Sequence, residues 1–194
     1  MVEKNIREDL AVIKKIMLES RQNFYNVGIH LVVWGGIVIL SLFLTYYSIS
    51  IKYIVPEYCI WIIGFGLAWT FEFWQYKRYQ HGKRVYNKLN RIGSTLWMSL
   101  LVTMMIYGIF GGVGGNLVEG STGIIAGLLA IGYFVTGEVI EMKWIKYLGY
   151  GWWIGAIILF FLPNTVGILV MALLMALLQF IPGLILTIKG PKND

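Results

Sequence analysis

Apolar residues fall in six long runs along this chain, near 29–49, 54–76, 92–112, 121–142, 147–163 and 165–188, separated by polar residues or by glycine and proline. About 20 apolar residues of helix cross a hydrocarbon core of about 30 Å. The pattern therefore predicts an all-α, polytopic membrane bundle of six transmembrane helices arranged as three hairpins. Residues 1–27 have a different pattern. Ile6, Leu10, Ile13, Met17 and Phe24, with Ser20 completing the steps, share one stripe of a helix, and five basic and four acidic residues occupy its other faces. A cytoplasmic amphipathic helix over 1–27 is expected to precede a six-helix transmembrane domain over 28–194. Its near-balanced charge favours packing against the chain's own cytoplasmic ends, a second subunit or another protein, over simple adsorption to anionic lipid.

Composition agrees with this reading. The 194 residues are 58% apolar and 13% charged, and mean hydropathy is +0.70. That is more apolar side chain than a soluble domain of this length can cover. Charge then sets orientation, because loops rich in Lys and Arg resist translocation. Of the 16 basic residues, all but Lys52 fall in the N-terminal segment, the second and fourth connections and the C-terminal tail. Both termini are expected in the cytoplasm, with the protein in the cell (inner, cytoplasmic) membrane. The net charge of +6 is then a topology signal, and the expected partners are membrane lipids with no nucleic acid.

Two inward-running spans end on one pattern, Thr-x-Glu-x-x-(Gln or Glu)-x-Lys: TFEFWQYK at 70–77 and TGEVIEMK at 136–143. Aligning them matches Gly66 with Gly132, Glu72 with Glu138 and Gln75 with Glu141, which reads as a two-helix repeat whose third copy has Pro182 and Leu184 in place of Thr and Glu. Each glutamate sits five residues inside a lysine, about 7–8 Å along a helix at 1.5 Å per residue. A carboxylate at that depth needs a partner, water or a proton. Glu72 with Gln75, and Glu138 with Glu141, share a helix face, and His30 lies at the same end of the first span. These five residues are the candidate ligand or ion site. They serve either as structural ion pairs stitching helix ends to the basic loop 76–91 or as an acidic vestibule open to the cytoplasm.

The runs GYFVTGEVIEMKWIKYLGYGWWIGAI, LLMALLQFIPGLIL and WGGIVILSLFLTYY resemble a family of small six-span membrane proteins of bacteria and archaea. The resemblance rests on glycine, tryptophan and proline positions. It implies a fold and carries no activity.

Other chemistry is poorly supplied. His30 and His81 sit in no zinc spacing, Cys59 is alone, and GGVGG at 111–115 lacks the Lys-Ser/Thr of a phosphate loop. Ser121 and His30 are expected about a bilayer apart, and aspartate occurs only at Asp9 and Asp194, outside the spans. No enzyme chemistry, metal or cofactor is expected. Small residues at Gly123/Gly127, Gly151/Gly155 and Ala172/Ala176 predict close helix packing, and Pro182–Gly183 predicts an interruption and a kink of the last span. The functional expectation is a small transporter or channel for a cation or small solute. The alternative is a non-catalytic membrane regulator or scaffold acting through residues 1–27 and the basic loop.

Overall fold

The computed structural model describes residues 27–51, 56–79, 88–110, 120–139 and 142–188, which are helical apart from short turns, with no strand among them. We label the helices α1 (Val27–Ser50), α2 (Glu57–Tyr79), α3 (Lys88–Met105, continued by a π-turn over Ile106–Phe110), α4 (Ser121–Val139), α5 (Lys143–Phe160) and α6 (Asn164–Ile188, with a π-turn over Ala176–Phe180). The amphipathic stripe expected at 1–27, most of the basic loop, the GGVGG run and Glu141 lie outside the described residues.

Three of these helices, α1, α4 and α6, are long and apolar enough to cross a membrane, and Ile92–Gly108 within α3 is apolar but shorter. The outer surface agrees. Ile63, Leu67, Ile154, Ile157 and Phe161 are exposed, as are many other large apolar side chains. On a soluble domain so much exposed apolar surface would drive aggregation, whereas facing lipid it is the expected state. This is the surface of a membrane protein.

Lipid gives apolar helices little reason to associate, so close backbone approach has to come from small residues. α4 and α5 run antiparallel: a Cβ on Gly149 would sit 3.1 Å from the Ala130 carbonyl oxygen, and one on Gly123 would sit 3.1 Å from that of Ala156. α1 and α6 meet in the same way, since a Cβ on Gly28 would lie 2.7 Å from the Thr187 nitrogen and one on Gly183 2.9 Å from that of Val32. α5 meets α6 with Gly151 and Gly155 receiving Leu178 and Leu174. Gly127, expected to pack with Gly123, has nothing within 4 Å of its Cβ position. Between α4, α5 and α6 lies the core, with Tyr133, Ile145, Trp152, Leu159 and Met175 fully buried.

Turn chemistry fixes the starts of two helices. Gly120 has φ +83°, in the left-handed region that favours glycine, and its carbonyl accepts from the Gly123 and Ile124 amides to start α4. Pro163 precedes the first turn of α6 and accepts from the Gly167 amide. Pro182, in contrast, does not interrupt α6. A proline lacks the N–H that would bond four residues back, and the helix accommodates this with the wider π-turn just before it.

Candidate functional site

Five of the helices turn one stripe each toward a common axis. α1 presents His30, Trp34, Leu42 and Thr45 in steps of one or two turns, and α2 presents Trp61, Phe65, Trp69 and Glu72 in steps of three and four. α3, α4 and α6 complete the ring, while α5 packs outside it against α4 and α6. Between them lies a partly open cavity of about 600 Å³ that runs from His30 and Glu72 at one end to Glu57, Tyr107, Ser121 and Asn164 at the other. Both π-turns reach it: Tyr107 and Gly108 line one end, and the buried Gln179 lines the wall. Such turns recur where a helix must re-aim side chains at a site.

Glu72 is the centre of the polar end. Its Oε1 lies 2.7 Å from His30 Nδ1 and accepts a hydrogen bond from Trp34 Nε1 at 2.8 Å. Against an ionised carboxylate, which only accepts, a hydrogen on His30 Nδ1 completes this contact. Both contacts fall on one oxygen, and Oε2 takes no bond from a described residue. The side chains of His30 and Glu72 remain 37% and 30% exposed, so the pair faces open space and is not sealed in the packing. Aromatic rings surround it. Phe71 meets His30 edge-on at 6.2 Å, Trp34 lies 6.1 Å from Phe65, and Trp61 continues the row at 5.8 Å. The rest of the wall is mostly apolar. Thr45 departs from that pattern, being 4% exposed with an Oγ1 that has no hydrogen-bond partner among the described residues.

Comparison with family models, with curated proteins and with solved structures returns no match to this chain. Function therefore has to be argued from the site.

Of the five residues singled out from sequence, the structure brings two together, His30 and Glu72. Gln75 is buried one turn further along α2 and is not part of the cavity wall. Glu138 is on the same end of the bundle, two residues past Thr136, which accepts from the cavity-lining Trp97 at 2.9 Å. α4 nevertheless turns Glu138 toward α5, where Lys146 Nζ donates to it at 2.6 Å and sits 4.6 Å from the Phe134 ring. That pair is at the surface, with 67% of the Glu138 side chain exposed. Glu141 lies outside the described residues. The repeat therefore does not give its two glutamates equivalent surroundings. Gly66 and Gly132 differ too, with open space around the first and Trp97 and Leu100 against the second.

The aromatic wall and Gln179 were not anticipated. Trp61, Phe65 and Trp69 recur at four-residue steps and lead to Glu72 on the same helical face, a signal present in the sequence. Among the described residues no three His, Cys, Asp or Glu side chains are grouped to hold a metal.

Proposed function

We propose that this chain is a six-span membrane transporter or channel that carries a cation or small solute along its central cavity, past an acidic site near the cytoplasmic face. Helix lengths support six spans. At 1.5 Å per residue α2 is about 34 Å long and α5 about 27 Å, and their lower apolarity comes from terminal charges and from Trp and Tyr, which suit the membrane interface. In this reading Lys77, Lys143 and Lys146 mark the cytoplasmic end, which is the end that holds His30 and Glu72. The connections then alternate sides, and the antiparallel pairs α1–α2, α3–α4 and α5–α6 are the three hairpins, with α3 meeting α4 at Trp97 and Gly132 and α5 meeting α6 at Gly155 and Leu174.

One observation carries the proposal: a cavity nearly as long as the helices, with a carboxylate in its wall. A structural ion pair alone needs no such space. The test is aqueous access. Cysteine at Leu101, midway along the wall, or at Ile125, one turn in from Ser121, in a Cys59→Ala background, is expected to react with an impermeant thiol reagent in proteoliposomes, and Glu72→Gln is expected to change the rate. Failure of both positions to react from either side would leave the cavity a packing gap and end the transport reading.

A further inference from the structure

We infer that the cavity takes a lipophilic organic cation of drug-like size, with its charged centre against Glu72 and its apolar body along the aromatic wall. This rests on the transport reading for its purpose and on the cavity alone for its chemistry. Charge selects the sign. Among the described residues the wall holds two carboxylates, Glu57 and Glu72, and no lysine or arginine, with His30 the one basic side chain, already engaged by Glu72 Oε1. The second Glu72 oxygen has no bond from a described residue, and in a mostly apolar surrounding its field is weakly screened.

The walls select the kind of cation. A small inorganic ion entering such a space has to give up water, and the hard divalent ions need about six to eight oxygen ligands in return. Apolar and aromatic side chains do not supply them, and no ligand cluster occurs among the described residues. An organic cation keeps its own apolar shell. Trp34, Trp61, Phe65, Trp69 and Trp97 offer ring faces within a few turns of the carboxylate, and aromatic faces attract cations. A volume of about 600 Å³ lies in the middle of the range for pockets that hold such molecules.

Two probe ions of matched size and opposite charge test the inference. The full chain, purified in neutral detergent, is titrated with tetraphenylphosphonium and with tetraphenylborate, following tryptophan quenching and equilibrium dialysis. Saturable binding of the phosphonium is expected, with the borate at least about tenfold weaker. Glu72→Gln and Trp69→Leu are each expected to weaken the phosphonium about tenfold, and Glu138→Gln to leave it unchanged. Should Glu72→Gln fail to fold, Glu72→Asp and Trp69→Leu carry the test. Equal binding of the two ions, no saturable binding of the phosphonium, or indifference to both cavity variants would overturn the cation class. The transport reading falls separately, on the cysteine labelling: a labelled cavity that ignores the phosphonium keeps transport and loses this ligand class, and a binding cavity closed to thiol reagents does the reverse.

Discussion

Glu72 and Glu138 occupy the same place in a repeated motif, yet neutralising them should have different consequences. Glu72 accepts from two donors, and a hydrogen bond to a charged group contributes about 1.5–3 kcal/mol against about 0.5–1.5 for a neutral one. Glu72→Gln keeps a carbonyl oxygen for Trp34 and His30 but loses the charge at both contacts, so about 2 kcal/mol of stability should go. Glu72→Leu should cost more, about 3–5 kcal/mol, because it leaves both donors without an acceptor inside the bundle. For a chain of this size, each kcal/mol moves the melting temperature by about 2–4 °C. The expected losses are then about 4–8 °C for the amide and clearly more for leucine. Glu138→Gln removes an ion pair at the surface, where solvent screens the charges and the side chain is free to move, and no shift beyond experimental error is expected. Differential scanning fluorimetry of the three variants in one detergent measures all of this. A Glu138→Gln loss equal to that of Glu72→Gln, or a Glu72→Leu variant as stable as the parent, would refute the assignment of Glu72 as the anchored carboxylate.

Two further outcomes are expected. Gly183→Ala places a methyl 2.8–3.0 Å from Leu31, Val32 and Gly28, mostly backbone that cannot rotate away, and should lower the melting temperature by an amount corresponding to about 1–3 kcal/mol, whereas Gly127→Ala meets open space and should be neutral or mildly stabilising; equal effects would contradict the close α1–α6 contact. In intact cells, a Cys59→Ala background with cysteine at Ser121 or Asn164 should be labelled by an impermeant reagent from outside, and one with cysteine at Gly82 or Asn193 should not; labelling at Gly82 would reverse the proposed orientation and move Glu72 to the outer face.

The helices were legible because a long apolar run has few alternatives: each tract expected to be a span coincides with a helix to within a few residues where it is described. Which face of a helix turns inward was less legible, because that depends on neighbours far off in sequence. Glu138 lies five residues before the start of α5, so Lys146, eight residues on, falls within reach of its carboxylate. Glu72 is followed by seven more residues of α2, and its partners lie 42 and 38 residues back, on α1. The two motifs are alike in residues and unlike in the helix each one meets, which is why the repeat suggested one shared acidic vestibule and the structure gives the two glutamates separate surroundings.

Pro182 extends the same lesson to the backbone. From sequence, a proline inside an apolar run predicts an interruption, since it removes a hydrogen bond and crowds the carbonyl of Leu178. A π-turn over Ala176–Phe180 absorbs the mismatch while the helix goes on to Ile188. What it achieves is positional. Gln179, inside the turn, is buried and lines the cavity beside Gly35, while Gly183, one turn further, seats against the backbone of α1 near Gly28. A buried amide in lipid has to be satisfied or face a polar space, and a helix packed that closely on α1 has little room to turn its side chains elsewhere. α6 lines the cavity as far as Gln179, and from Gln179 to Thr187 it lies against α1 between Gly35 and Gly28, the stretch of α1 that carries His30 and Trp34.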